Sequence, residues 1–328
     1  MPWTGTWPER SSTGSTNYTE GTGGYVHLTW ECIPCIVRSY IRLVQAGTLP
    51  EESVEPGMRR LLALLAAVDY RIPPPVFGRE MHRMIRSLAT EPDPYRSVKE
   101  NANRSMMALY PTFQEMVNEA DDPFDAALRL AIAGNVIDSG PDHHMDITET
   151  IDRIVNAPLA IDDSLLLKSD IREAETVLFI GDNCGEIVLD KLLIATLHHP
   201  GVFYAVRGGP VLNDATLADA AFVRMEEAAR VLTTGDDAPG VVLEAASDEF
   251  LRVFNRADVI ISKGQGNLEG LIDLPQNIYF LLVTKCDVIA KRLAVGVGDF
   301  IAFKGNGSGG VSEDADLQQD VPSGETRA

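Results

Sequence analysis

The residues best suited to chemistry lie in four short polar loops, each following an apolar run rich in Val, Ile and Phe. The run Val177–Ile180 leads into Gly181-Asp182-Asn183-Cys184-Gly185-Glu186, and Val202–Val206 into Arg207-Gly208-Gly209-Pro210 followed by Asn213-Asp214. Residues 230–232 lead into Gly235-Asp236-Asp237-Ala238-Pro239-Gly240, and residues 259–262 into Lys263-Gly264-Gln265-Gly266-Asn267. Asp182, Asn183 and Asp214 are hard oxygen donors, which suit Mg²⁺, Mn²⁺ or a similar divalent ion completed by waters. Lys263 offers an ammonium to an anionic oxygen. A divalent ion, a lysine and helix N-termini together make a site for a phosphorylated substrate. The chain has no G-x-x-x-x-G-K-[ST] run, and the Lys263 loop reads Lys-Gly rather than Gly-Lys-Ser. The plainer reading is that Asp and Asn merely cap the helices that follow; it strains when it must cover all four loops.

These loops need a scaffold that brings them together. From about residue 176 the rhythm is strand, turn, helix, with strands expected at 177–180, 202–206, 230–232, 259–262 and 278–283. That alternation predicts βαβ units and a parallel sheet covered on both faces, with ligands outside the carboxyl ends of the strands. From about residue 31 to residue 160 the signals are helical. Ile33, Ile36, Val37, Tyr40, Ile41 and Val44 paint one stripe on a first helix, with Pro34 near its start. Further helices are expected around 61–68, 95–118 and 124–133. The expected organisation is a disordered leader (1–26), a helical N-terminal domain (27–165), an α/β metal-binding catalytic domain (166–303) and a disordered acidic tail (304–328). The fold class is thus α/β, a helical N-terminal part packed on a doubly wound, mostly parallel three-layer α/β/α domain. The N-terminal helices are the natural lid over a substrate.

Composition narrows the partners. The 328 residues hold 28 Lys and Arg against 48 Asp and Glu, a net charge of −20, which argues against nucleic acid and an anionic membrane surface. A hydrophobic content of 45% suffices for a real core. The longest apolar runs, 61–68 and 278–283, fall far short of the roughly 18 residues of a spanning helix. No secretory signal is recognisable, and four cysteines make no disulfide scaffold, so a cytoplasmic location is expected.

Several side chains carry two readings. Glu186 either orients a ligand or simply favours a helix N-terminus; Asp190 shares its face. Arg207 clamps phosphate or pairs with a buried carboxylate. Asn267 is expected to touch the ligand, whereas Glu269 touches it or serves as a capping-box acceptor. Cys32 and Cys35 share a helix face, packing inward or approaching a metal or redox partner, and Cys184 reads as a buried small side chain. Asn135 and Asp138 could approach the site from the helical part. The pair His143-His144 reads as a solvated loop, and no His-x-His or His-Glu-x-x-His pattern occurs.

With these motifs assembled, the sequence resembles the metal-dependent damage-control carbohydrate phosphatases, once catalogued as domain of unknown function eighty-nine. The resemblance rests on Asp182-Asn183-Cys184-Gly185-Glu186, on Arg207-Gly208-Gly209-Pro210 with Asn213-Asp214-Ala215-Thr216, and on Ser262-Lys263-Gly264-Gln265-Gly266-Asn267. Glu31-Cys32-Ile33-Pro34-Cys35 and Gly134-Asn135-Val136-Ile137-Asp138 also look like this family and point to its Cys-x-x-Cys-bearing prokaryotic branch. The resemblance implies a phosphomonoesterase for small phosphorylated metabolites that uses Mn²⁺, Co²⁺, Ni²⁺ or Mg²⁺. It maps the metal ligands onto Asp182, Asn183 and Asp214 and the phosphate-binding lysine onto Lys263. Asp182 and Lys263 are then the catalytic pair, with Glu186, Arg207, Asn213, Asn267 and Glu269 around the substrate. Whether Asp182 attacks phosphorus or only holds the ion stays open at this level. So do the substrate and the oligomeric state. The rivals are an S-adenosylmethionine-dependent methyltransferase, whose glycine loop 177–186 loosely mimics, and a non-catalytic metal- or metabolite-binding protein.

Overall fold

The strand Val177-Leu178-Phe179-Ile180 is buried along its whole length, and its alternate residues feed two different cores. Val177 and Phe179 join one cluster, Leu178 and Ile180 the other. Only a strand covered on both faces has this pattern, so the continuous apolar run specifies a central position. The computed structural model that shows this describes residues 26–137 and 157–305. Apart from residues 26, 304 and 305, the expected leader and tail lie outside those residues, as do Asp138, Asp142 and His143-His144.

Five helices come first: α1 (Cys32–Gln45), α2 (Glu51–Ala67), α3 (Pro74–Leu88), α4 (Arg96–Glu119) and α5 (Pro123–Ile137). Then follow β1 (Leu159–Asp162), α6 (Ser164–Glu173), β2 (Val177–Ile180), α7 (Glu186–Leu197), β3 (Val202–Val206), α8 (Leu217–Phe222) and β4 (Arg230–Thr233). The chain closes with α9 (Asp248–Arg256), β5 (Val259–Lys263), α10 (Gln265–Leu271), β6 (Ile278–Val283), α11 (Asp287–Leu293) and β7 (Phe300–Lys304). The strands form one sheet in the order β1-β7-β6-β5-β2-β3-β4. Every neighbouring pair is parallel except β6 and β7. The chain winds outward from β2 through β3 to β4, then returns to place β5 on the other side of β2. That reversal opens a crevice at the carboxyl ends of β2 and β5.

Helices α4, α5, α6 and α7 cover one face and α9, α10 and α11 the other, giving the three-layer arrangement. The packing redraws the expected boundary at residue 165. Only α1 to α3 have a core of their own, built on Tyr40, Leu61, Phe77, Met81 and Ile85. Helices α4 and α5 belong to the sheet's core, and β1, inside the segment expected to be helical, pairs with β7 at the sheet edge. Strand β7 itself runs to Lys304, into the expected tail. Neither β1 nor β7 was expected: β1, at one edge of the sheet, alternates half-buried and exposed residues over only four positions. Helix α3 was missed because three prolines open it, although Pro at a helix start is harmless. On α1, Tyr40 is buried, whereas Ile41 is 41% exposed and falls off the buried stripe. No helix among the described residues is long and apolar enough to cross a membrane.

The α5–α7 contact decides where the loop between β2 and α7 sits, since α7 begins at Glu186. Gly134 allows α5 to lie against that residue, because a Cβ there would stand 3.1 Å from Glu186 Cγ. Leu128, fully buried on α5, belongs to the same core. Leu128→Ala should cost about 2–5 kcal/mol of unfolding free energy in urea, and a loss below about 1 kcal/mol would mean that this layer is not part of the cooperative core.

Candidate active site at the sheet reversal

The loop after β2 and the loop after β3 are stitched to each other before any side chain is considered. Cys184 N donates to Asn213 O at 2.8 Å, and Ala215 N donates to Asp182 O at 2.8 Å. Asn183 and Asp214 pair as an isolated bridge. This backbone seam brings Asp182, Asn183 and Asp214, from two separate crossovers, to one place.

Arg207 then ties their side chains together. Its Nε donates to Asp214 Oδ2 at 2.6 Å, one Nη to Asp182 Oδ1 at 3.2 Å and the other to Asn267 Oδ1 at 2.9 Å. The planar fork suits this three-way grip. At 1% exposure Arg207 is paired with these two buried carboxylates, as one of its two sequence readings has it. Asn267 is consumed in the same way. Besides accepting from Arg207 it donates to Gly181 O at 3.2 Å and Lys263 O at 2.7 Å, and so ties the loops together.

Lys263 differs from its expected place. Its ammonium is fully buried behind the loop that follows β2, donating to Glu186 Oε2 at 3.1 Å and Asp190 Oδ1 at 2.7 Å. Burial by itself would lower its pKa, but Asp190 and Glu186 hold it above the ordinary lysine range. Tyr204 donates to the other oxygen of Asp190 at 2.8 Å, and burial pushes the Asp190 carboxyl up to about 6. Glu186 in turn accepts from Asn183 Nδ2 at 2.8 Å. Lys263 therefore reaches the site through Glu186, and Glu186 turns the nitrogen of Asn183 inward so that its amide oxygen is left for a ligand.

The fit to a divalent ion can be judged from these groups. Burial, the Asp214 charge and the Glu186 charge all push the Asp182 carboxyl above its usual range, and burial does the same to Asp214. Asp182 and Asp214 are ion-paired to Arg207, and Glu186 and Asp190 to Lys263, with the charges of Lys285 and Lys99 also acting on Asp182 and Asp214; the repulsion among the four acids is one that a bound cation would relieve. No cluster of three or more His, Cys, Asp or Glu is gathered for a metal among the described residues. Two carboxylates and one amide oxygen nevertheless suit a hard ion that keeps several waters or substrate oxygens. Asp182 is the carboxylate of this set that opens outward, with 11% of its side chain exposed against 3% for Asp214. Gly264 makes room for it: its φ is +77°, and a Cβ there would stand 1.9 Å from Asp182 Oδ2.

One group at this mouth was missed. Lys285 is exposed just beyond β6, lowers the pKa of Asp182 by its charge, and makes no ion pair with a described residue. Its loop, Thr284-Lys285-Cys286, contains no glycine, so a search for glycine-bounded loops passed over it. Treating every strand end alike would have found it. Asn213 is half-buried in the seam. Glu269 accepts from Gln265 Nε2 at 2.9 Å, and Gln265 Oε1 in turn accepts from Lys285 N at 3.0 Å; no side-chain bond from Glu269 caps its helix. Cys184 is buried, Cys32 half-buried and Cys35 exposed, and none of the three forms a disulfide with a described residue.

Residues 28–301 match the family model described as the damage-control phosphatase ARMT1-like domain. An uncharacterized protein of Methanocaldococcus jannaschii is 34% identical over 295 residues, covering 86% of this chain and 97% of that one. A Pyrococcus horikoshii protein named as a damage-control phosphatase is 31% identical over 282 residues, 84% of this chain and 97% of its own. Another so named, from Archaeoglobus fulgidus, is 34% identical over 230 residues, 68% of this chain and 79% of its own. Among solved structures, the crystal structure of a DUF89 family protein from Pyrococcus horikoshii superposes with a TM-score of 0.80 at 31% identity, covering 86% of this chain and all of that one.

Burial pushes the Glu269 carboxyl up to about 7, opposed only by the bond from Gln265. A carboxyl whose pKa is raised on folding favours the native state while protonated, and that contribution is lost as pH rises through the folded pKa. Glu269→Gln should therefore raise the melting temperature at pH 8, by on the order of 1–3 kcal/mol in stability, and the gain should vanish near pH 4.5. A pH-independent difference between the two proteins would remove Glu269 from this account.

Proposed function

The chain belongs to the damage-control phosphatase ARMT1-like family, and on that premise we propose that it is a divalent-metal-dependent phosphomonoesterase acting on small phosphorylated metabolites. The observation that carries the reading is the convergence of Asp182, Asn183 and Asp214 at the point where the sheet reverses, with the charge of the exposed residue Lys285 acting on Asp182. Oxygen donors and a lysine at one strand-end crevice recognise a phosphoryl group, whereas a methyl donor would leave both without a task.

Asp182, Asn183 and Asp214 would hold Mn²⁺, Co²⁺, Ni²⁺ or Mg²⁺. The bound ion supplies a Lewis acid for a phosphoryl oxygen and an anchor for a water. The chain's own residues do the rest. Arg207 keeps the two carboxylates at a fixed separation, so nothing must reorganise when substrate arrives. Glu186 and Lys263 lock the orientation of Asn183. Lys285 offsets the charge of the incoming phosphate and takes over the role that the sequence had placed on Lys263. Asp182, on the open side, is the carboxylate nearest the substrate's route.

An aryl phosphate should be hydrolysed only with added Mn²⁺, Co²⁺, Ni²⁺ or Mg²⁺, and the activity should be lost on chelation. Asp182→Asn and Asp214→Ala should each lose at least about a hundredfold in kcat/KM while melting as cooperatively as the parent. Lys285→Ala should raise KM roughly tenfold with a smaller change in kcat. Full activity in both aspartate variants, or metal-independent turnover, would refute the proposal.

A further inference from the structure

We propose that Asn103, a residue of α4 outside every strand-end loop, is a positioning residue that sets the separation of the two cation-binding loops and thereby the metal affinity of the site; the inference rests on the metal reading above. Its side chain is fully buried and engaged at both ends. The amide oxygen accepts from Gly185 N at 2.8 Å, and the amide nitrogen donates to Asp219 Oδ1 at 3.2 Å. Gly185 stands two residues beyond Asn183. Asp219 Oδ2 in turn accepts from both the backbone N–H (2.9 Å) and the hydroxyl (2.7 Å) of Thr216, which stands two residues beyond Asp214. A single amide thus spans the equivalent points of the two ligand-bearing loops.

The anchorage of that amide is itself fixed. Lys99, one helical turn before Asn103, binds Asp219 Oδ2 at 2.8 Å and lies 3.5 Å from Asp93. It keeps Asp219 ionised, below the usual carboxylate range despite its burial. Gly185 has a φ of +82°, and a Cβ there would lie 3.5 Å from Ala102 and Met106 of the same helix, so the loop rests directly on α4. Arg207 sets the distance between the carboxylates from inside the crevice; Asn103 sets the distance between their loops from the helical side. Partners that orient metal ligands without touching the metal govern affinity strongly.

The test compares Mn²⁺ binding by calorimetry, and hydrogen–deuterium exchange, for the full chain and two variants. Asn103→Ala removes both bonds. Asn103→Asp has the same size and keeps the acceptor for Gly185 N, but sets a carboxylate against Asp219; it decides the matter by the same readings should the alanine variant not fold. Both should bind Mn²⁺ roughly 10- to 100-fold more weakly, with faster exchange in residues 182–187 and 213–217 and unchanged exchange in β2 and β3. A folded variant whose Mn²⁺ affinity stays within about twofold of the parent, whatever its melting temperature, would overturn this inference and leave the phosphatase reading standing. A parent protein that binds no divalent ion would instead overturn the metal reading, and this inference with it.

Discussion

The three-way grip of Arg207 is the interaction on which the rest of the site depends. A guanidinium with 1% exposure holds a carboxylate from the loop after β2 and another from the loop after β3, and is itself held by Asn267 from the segment after β5. Burying such a group is expensive, and it is tolerable only because each of its three nitrogens is satisfied. Removing it would leave Asp182 and Asp214 buried and facing each other. The same feature that makes the arrangement costly makes it specific, since no other residue type supplies this fork.

A second cation completes the logic one layer deeper. Lys263 sits between Glu186 and Asp190, with Tyr204 closing the chain, so the interior behind the metal loop is an unbroken series of hydrogen bonds. Burial and the charges of Asp214 and Glu186 raise the pKa of Asp182, which is more open to solvent than Asp214.

The central strands were legible because their physics is local. An apolar run covered on both faces reads as such residue by residue, and Val177–Ile180, Val202–Val206 and Ile278–Val283 match their expected bounds. Strands β1 and β7 were not, because their pairing is set across the sheet, β1 against β7 and β7 against β6, rather than by their own composition. At the site, residue types and loop positions pointed to Asp182, Asn183 and Asp214, which the fold brings together. The same reasoning could not foresee which lysine faces solvent. Lys263 has the glycine-rich context that suggests ligand contact, yet the cost of two buried acids on α7 draws it inward. Lys285 has no such context and stands at the mouth. Asn103 was invisible for a related reason: its partners lie more than eighty residues away, and nothing in Asn101-Ala102-Asn103 announces them.

The central claim is that the two aspartates and Asn183 form a prepared seat for one divalent ion, with Arg207 bracing it. A crystal soaked in Mn²⁺ and measured for anomalous scattering tests this directly. The account predicts one strong peak in contact with Asp182, Asn183 and Asp214, with Arg207 still bound to at least one of the carboxylates. Manganese bound elsewhere on the chain, with these three side chains left unliganded, would contradict it.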